Sequence, residues 1–187
     1  RDRQRVELAS LTCPERIRSI HEAYLKAGAT LLKSNTFSAN PESLSLPMPE
    51  VLNLITAAWQ VGSEAIGSPG RAQLAADIGP LPVQQGTGAT ATYLQLARHF
   101  IGLGARILLF ETFAELDDLL PAVRELAEES PGTEIYVSLN VNAMGYTRKG
   151  ASLADLAQLL EAEEGVSGYG LNCDIGPTHM ARLYESY

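Results

Sequence analysis

The stretch ARILLFETF, at residues 105–113, is the clearest strand in the sequence. Its apolar run from Ile107 to Phe110 is short and continuous, and it stops at a glutamate, Glu111. Runs of this kind are typical of strands that are buried on both faces of a parallel sheet. A helix is predicted directly afterwards, across residues 116–130, so this part of the chain has the pattern of a βα unit.

The same alternation of strand and helix continues along the chain. Further strands are predicted at residues 29–37, 72–80, 133–142 and 166–173. Further helices are predicted at residues 14–28, 49–67, 90–104 and 152–165, and from residue 177 onward. On the first of these helices, the predicted apolar face is Ile17, Ile20, Tyr24 and Ala27. Strands that alternate with helices indicate βαβ units and a parallel sheet, so the predicted fold class is α/β.

Each predicted strand ends in polar residues. These ends are Asn35-Thr36, Asp77, Glu111-Thr112, Asn140 with Asn142, and Asn172-Cys173-Asp174. In a closed α/β barrel all carboxyl ends meet at one rim, where the active site is built, whereas an open sheet uses only those near its switch point. We therefore expect a partial (β/α)8 TIM-type barrel, because a barrel has eight strands and five are predicted. The alternative is a complete five-stranded open α/β domain, which would leave two apolar edges exposed.

Composition and charge argue against several classes of protein. Hydrophobic residues make up 45% of the 187 residues and charged residues 19%, which is the profile of a globular protein. A net charge of -8 without a Lys/Arg cluster argues against a nucleic-acid partner. No apolar run approaches the roughly 20 residues that a membrane span needs, so we expect no membrane partner. With only Cys13 and Cys173, we expect no disulfide framework and a cytoplasmic location.

Several strand-end residues have both a structural and a functional interpretation. A role in a βα turn and a role in a ligand pocket are both open for Asn35, Thr36 and Asp77. Glu111 follows four apolar residues, so its carboxylate lies in a poorly hydrated place and needs a partner. That partner is either a backbone N–H or a lysine of the protein, or the ammonium group of a substrate, and the strand-end position favours the substrate. Cys173 is either a small packed residue or a sulfur with a chemical role, and spacing alone leaves both open. His21 and His99 are predicted to lie at the surface or at the edge of the core.

Four segments together resemble the homocysteine S-methyltransferase domain family. IHEAYLKAGATLLKSNTFSAN at residues 20–40 resembles the family's helix and following strand, and DIGP at residues 77–80 resembles its third strand end. LLFETF at residues 108–113 resembles the family's F-E-T strand, and YGLNC at residues 169–173 resembles its G-x-N-C strand. GLNCDIGPTHM at residues 170–180 is most similar to the bacterial branch that is fused to methylenetetrahydrofolate reductase, or to the homocysteine module of cobalamin-dependent methionine synthase.

The resemblance implies a barrel that binds zinc through three cysteines. Cys173 matches the ligand after the sixth strand, whereas the adjacent cysteine pair after the eighth strand and the family's first strand have no counterpart here. We therefore expect residues 1–187 to be a barrel fragment of about strands two to six, without the first strand and the last two. We also expect the chain alone to be inactive, because one thiolate cannot hold catalytic zinc.

For the full-length parent, the resemblance implies transfer of a methyl group to the thiol of homocysteine, which gives methionine. A free thiol titrates near pH ~8.5, and coordination to zinc holds it as the thiolate near neutral pH. Cys173 and Glu111 are the implied catalytic residues, and Glu111 is implied to hold the substrate ammonium. The implied pocket residues are Asn35, Thr36, Asp77 and Asn172.

The methyl donor and the partners stay open at this level. Methylcobalamin, methyltetrahydrofolate, S-methylmethionine, S-adenosylmethionine and a betaine are all compatible donors. Fusion to a methylenetetrahydrofolate reductase or to a cobalamin domain is expected from the resemblance. Self-association is expected from exposed barrel edges.

Two rival functions remain. A non-catalytic α/β module would bind a small amino acid or a protein partner, without zinc. A different barrel enzyme, such as an aldolase, would usually carry a lysine at a strand end, and Lys33 is the only candidate. Because Lys33 lies within a strand run whose end is Asn35-Thr36, the aldolase is the weaker rival.

Overall fold

The structure is a computed structural model that describes residues 5–68, 70–82 and 88–186. Its strands are β1 Leu31–Lys33, β2 Gln73–Ile78, β3 Ile107–Phe113, β4 Glu134–Leu139 and β5 Gly168–Leu171. Its helices are α1 Ala9–Thr12, α2 Pro14–Lys26, α3 Pro41–Leu44, α4 Met48–Ile66, α5 Ala89–Gly102, α6 Leu119–Glu129, α7 Leu153–Glu161 and α8 Pro177–Ser186, after a short 3-10 helix at Val6–Leu8. At least one α-helix separates every two successive strands, so the α/β prediction is confirmed.

The five strands form one parallel sheet in the order β1-β2-β3-β4-β5. Each strand pairs only with its neighbours in sequence, and Lys33, Ala75 and Ile107 stand side by side across β1, β2 and β3. Sequential parallel strands joined by helices are the wall of a TIM-type barrel. The fold is therefore a partial TIM-type barrel. The absence of a first and of two last strands stays a prediction.

One face of the sheet is closed by helices and carries the core. Its fully buried strand residues are Ala76, Ile78, Leu108, Phe110, Ile135, Val137 and Leu139, in one cluster with helix residues such as Leu54, Phe100 and Leu126. Because side chains alternate between the two faces of a strand, every second residue of β4, and Leu108 and Phe110 of β3, belong to this cluster. Each buried leucine or phenylalanine contributes about 1.5–3 kcal/mol by leaving water, so this face supplies most of the stability.

Local sequence signals explain where the helices begin. Asn40 begins α3 and accepts a hydrogen bond from the Ser43 amide at 2.8 Å, and Ser152 does the same for the Asp155 amide of α7 at 3.1 Å. Pro121 lies in the first turn of α6, where a missing N–H costs nothing. Among the described residues, no helix combines the length and the apolar composition that a bilayer crossing requires.

The buried face of α2 differs from the predicted one. Ile17, His21 and Leu25 are buried, whereas Ile20 is 46% exposed and Tyr24 is 62% exposed. Both stripes have helical spacing, so only the position of α4, against which α2 packs, decides between them. The prediction that His21 lies at the surface or core edge is therefore wrong, and burial lowers the pKa of its imidazole.

Candidate active site at the carboxyl end of the sheet

An irregularity in β3 sets the direction of Glu111. Phe110 stands opposite Val137 and Phe113 stands opposite Leu139, so Glu111 and Thr112 together face a single residue of β4. This is a β-bulge, which re-aims side chains at the end of a strand. Thr112 has a φ of 70°, a left-handed conformation that is uncommon outside glycine. The bulge keeps Glu111 and Thr112 half-buried at the rim, although the strand before them is apolar.

Three charged side chains from three neighbouring strands meet on the open face. The Lys33 ammonium lies 2.6 Å and 2.5 Å from the two carboxylate oxygens of Glu111, and 3.4 Å from Oδ2 of Asp77. The register explains the meeting, because Lys33 pairs with Ala75, two residues before Asp77. Asp77 in turn pairs with Leu109, two residues before Glu111. Residues two apart share a face of the sheet, so each strand contributes one charge to the same place.

A chain of hydrogen bonds extends this cluster to β4 and β5. The Asn172 amide nitrogen donates to Glu111 Oε1 at 3.1 Å and to the Thr112 hydroxyl at 2.7 Å. The Ser138 hydroxyl donates to the Asn172 carbonyl oxygen at 3.0 Å and accepts from the Thr112 amide at 3.3 Å. Glu111 is thus held by Lys33 on one side and by Asn172 on the other. The network fixes the position of the Glu111 carboxylate before any ligand arrives.

Asp77 is the most deeply buried member of the cluster. Its side chain is 5% exposed, against 16% for Glu111 and 45% for Lys33. Burial raises the pKa of Asp77 to about 8, with a further raising contribution from the negative charge of Glu111 and an opposing one from Lys33. For Lys33, burial lowers the pKa, but the hydrogen bond to Glu111 and the charges of both carboxylates outweigh it and raise the pKa.

The loop after β1 carries two predicted pocket residues, which have different surroundings. The Thr36 hydroxyl donates to the Asp77 backbone carbonyl at 2.7 Å and contacts the Ser34 hydroxyl, which in turn accepts from the Asp77 amide at 3.0 Å. The Asn35 amide donates instead to the Val6 carbonyl at 2.9 Å. Thr36 therefore braces Asp77, whereas Asn35 ties the loop to the N-terminal segment. Both side chains line a cleft of about 930 Å³ that also reaches Asp77.

Cys173 directly follows Asn172, on the loop after β5. Its thiol is exposed, and its backbone and that of Asp174 have positive φ values of 61° and 43°. Cys13 precedes α2 and is only partly buried. Within residues 5–68, 70–82 and 88–186, no group of three or more His, Cys, Asp or Glu side chains could hold a metal ion. The described residues therefore do not form a metal site by themselves.

The structure brings most of the predicted site residues together and adds others. Asp77, Glu111 and Asn172 form one network, and Thr36 supports it from behind. The sequence pattern indicates Lys33 only as a candidate aldolase lysine and gives no signal for Ser138. Lys33 lies on the same face of the sheet as Asp77 and Glu111 because of the register between β1, β2 and β3. The sequence does not state this register, so it does not predict the contact.

The arrangement suits recognition of a cation better than covalent chemistry. Two carboxylates and one ammonium carry a net negative charge when both carboxyls are ionised, and opposite charges at 2.5–3.4 Å attract strongly in a partly buried place. The Lys33 ammonium is already bound by Glu111, and its raised pKa keeps it protonated and non-nucleophilic. An aldolase-type lysine would need the opposite shift of its pKa.

Comparison with known proteins agrees with this fold. The family model described as homocysteine S-methyltransferase matches residues 3–187. A methionine synthase of Mycobacterium tuberculosis is 26% identical over 191 residues, which cover 94% of this chain and 16% of that protein. The chain thus spans about a sixth of the length of this curated relative.

Two solved structures of the Escherichia coli homocysteine methyltransferase MmuM have the same fold. The apo form superposes with a TM-score of 0.77 at 21% identity and covers 96% of this chain and 69% of that one. The metallated form gives a TM-score of 0.80 at 20% identity, with 95% and 69% of the two chains covered. At these identities the likeness establishes the fold, and the match over residues 3–187 establishes the family. The chain belongs to the homocysteine S-methyltransferase family.

Proposed function

We propose that the full-length protein transfers a methyl group to the thiol of homocysteine and forms methionine, and that residues 1–187 supply the amino-acid site. The observation that carries this proposal is the network of Asp77, Glu111 and Asn172 at the carboxyl ends of β2, β3 and β5. In TIM-type barrels, substrates bind at this end of the strands. The family match supports homocysteine as the amino acid.

The binding roles follow from charge and hydrogen-bonding capacity. Glu111 and Asp77 are the anionic groups that attract the substrate ammonium, and Asn172 orients Glu111 through its amide nitrogen. Thr36 and Ser34 hold the β2 end in place, because both bond to the backbone of Asp77. Asn35 lines the same cleft. The residues of this chain thus bind and orient the amino acid before its sulfur reacts.

Zinc enters the proposal only as a metal that is shared with residues outside this chain. Cys173 supplies one exposed cysteine sulfur, and the described residues contain no group of three or more possible metal ligands. A zinc site that activates a thiol needs three protein ligands and one open position. We propose that two further cysteines outside residues 1–187 complete the site, so residues 1–187 alone are inactive, and no step is assigned to metal held by this chain alone.

The methyl donor belongs to other parts of the full-length protein. The methionine synthase relative is about six times longer than the aligned segment, which leaves room for donor domains. We propose methylcobalamin or methyltetrahydrofolate as the donor on this basis. Supplying each of these donors, and S-methylmethionine for comparison, to the full-length protein with homocysteine decides between them by the amount of methionine formed.

The two cysteines provide a matched test of the proposal. In the full-length protein, Cys173→Ser is expected to abolish methionine formation and to reduce bound zinc, because one metal ligand is lost. Cys13→Ser is expected to change neither, since Cys13 directly precedes α2 and does not follow a strand of the sheet. Full activity and full zinc content in Cys173→Ser would contradict the proposal. Robust methyl transfer by residues 1–187 alone would overturn the expected inactivity of the fragment.

A further inference from the structure

We infer that the Asp77–Glu111 carboxyl pair holds one exchangeable proton in the free protein, and that the ammonium group of the bound amino acid takes its place. The inference rests on the proposed function, in that the ligand is an α-amino acid. It assigns a specific event to the site. Binding of the ammonium ionises Asp77, and the displaced proton passes to the solvent.

The acceptor capacity of Glu111 is already largely used. Oε1 accepts from Lys33 at 2.6 Å and from Asn172 at 3.1 Å, and Oε2 accepts from Lys33 at 2.5 Å. These are three charge-assisted or amide hydrogen bonds to one carboxylate. Glu111 is therefore the member of the pair whose two oxygens already have donors.

Asp77 has the opposite surroundings. Its Oδ1 is buried and has no hydrogen-bond partner among the described residues, and Oδ2 lies 3.4 Å from Lys33, beyond the usual length of a hydrogen bond. An ionised carboxylate in such a place would carry a large desolvation penalty. A protonated carboxyl avoids this penalty, because it is neutral and its O–H donates to a neighbouring acceptor.

Glu111 is the acceptor that such a proton would find. Burial, followed by the negative charge of Glu111, raises the pKa of Asp77. Both carboxyl groups lie within 3.4 Å of the same Lys33 ammonium, and a protonated Asp77 can donate to Glu111, whereas two ionised carboxylates only accept. Since the oxygens of Glu111 already accept from Lys33 and Asn172, whereas Oδ1 of Asp77 is buried without a partner among the described residues, we assign the proton to Asp77.

The total charge of the cluster then explains the exchange. With Asp77 protonated, Glu111 ionised and Lys33 charged, the free cluster is neutral. If an ammonium group entered without loss of the proton, the cluster would carry one uncompensated positive charge in a partly buried place. Loss of the proton restores neutrality, because Asp77 and Glu111 then balance Lys33 and the substrate ammonium. A neutral buried cluster is the favoured one at low effective dielectric constant.

Among the residues that the structure describes, no other group supplies a competing charge at hydrogen-bond distance from the Asp77 side chain. Lys33 on β1 and Glu111 on β3 are the charged groups that face it from the neighbouring strands. Ser34 and Thr36 contact only its backbone. The same cleft is lined farther away by Arg5, Glu7 and Glu42, and Arg5 and Glu7 are bonded to the Leu44 carbonyl and the Ser38 amide.

The test measures proton release when the full-length protein binds methionine. Methionine has the ammonium and carboxylate of homocysteine but no thiol, so it releases no proton from sulfur. Titration calorimetry at pH 6.5 in two buffers with different ionisation enthalpies counts the protons released. We expect close to one proton per methionine, and an affinity that rises about tenfold from pH 6 to pH 7 and levels off above pH 8.

Two variants assign the proton to its residue. Asp77→Asn is expected to bind methionine more weakly, with no proton release and no pH dependence between pH 6 and pH 8. Asp117→Asn, which changes an exposed aspartate before α6, is expected to behave like the unchanged protein. Circular dichroism establishes that both variants are folded. If Asp77→Asn still releases a proton, the assignment to Asp77 is wrong.

The outcomes separate this inference from the proposed function. Methionine that binds with no proton release and with a pH-independent affinity overturns the proton exchange but leaves the amino-acid site intact. If neither methionine nor homocysteine binds at millimolar concentration, both the proposed function and the inference fail. Because proton release is measured on the unchanged protein, the test does not depend on the stability of a variant.

Discussion

The two faces of the sheet differ in what they bury. The helix-covered face buries only apolar side chains, such as Leu108, Phe110 and Val137, each with 1% exposure or less. The open face carries the titratable residues Lys33, Asp77 and Glu111. The carboxyl groups of Asp77 and Glu111 each have an oxygen within 3.4 Å of the Lys33 ammonium. Residues that are adjacent in a strand thus face opposite sides of the sheet, one packing in the core and the next lying on the open face. The alternation of a strand lets one segment contribute stability on one face and chemistry on the other.

The largest expected effect comes from truncating the helix-covered face. Phe110→Ala is expected to lower the free energy of unfolding by about 3–5 kcal/mol, because it leaves a cavity in a fully buried cluster. Leu109→Ala, one residue earlier on the half-buried open face, is expected to cost less than half as much. Urea unfolding followed by circular dichroism measures both. Equal losses would show that the two faces contribute alike to stability.

Replacing Asp77 on the open face by a neutral residue is expected to have a smaller effect, and to raise the free energy of unfolding rather than lower it. The pKa of Asp77 is raised from 3.8 to about 8, so the folded state binds more protons than the unfolded state between these values. The free energy of unfolding therefore falls as pH rises through this window. Asp77→Asn removes that dependence and is expected to be about 1–3 kcal/mol more stable than the unchanged chain at pH 9, with little difference at pH 4. Urea unfolding across this pH range measures the difference. If the free energies of unfolding of the variant and the unchanged chain depend on pH in the same way, the assignment of the raised pKa to Asp77 is contradicted.

The smallest effect is expected from removing the lysine. Lys33→Met leaves two neighbouring carboxyl groups without their counter-charge, and we expect a loss of about 1 kcal/mol at pH 8, because Lys33 is nearly half exposed and solvent screens the pair. Lys149→Met breaks an exposed pair with Glu115 and is expected to change stability by less than about 0.5 kcal/mol. Unfolding in low and high salt separates the two, since only the exposed pair is fully screened. A larger loss of stability for Lys149→Met than for Lys33→Met would contradict the prediction that the partly buried charges contribute more than the exposed pair.

The sequence predicted the elements well, because their signals are local. The apolar run before Glu111, the alternation of strands and helices, and the Ser152 start of α7 all lie within a few residues of the feature that they specify. The buried face of α2 was predicted wrongly, since two adjacent stripes have helical spacing and only α4 selects between them. Strand ends and family motifs indicate the candidate site residues, but not the contacts that these residues make with one another.

What the sequence by itself determined is the α/β class, the polar strand ends and the membership in a family whose motifs it carries. Only the tertiary structure decided that Lys33 meets Asp77 and Glu111, and that a bulge turns Glu111 toward Asn172. The physical reason is that these contacts join residues far apart in the chain, and parallel register brings them together. Spacing along one strand reveals which face a side chain takes, but not which neighbour it meets there.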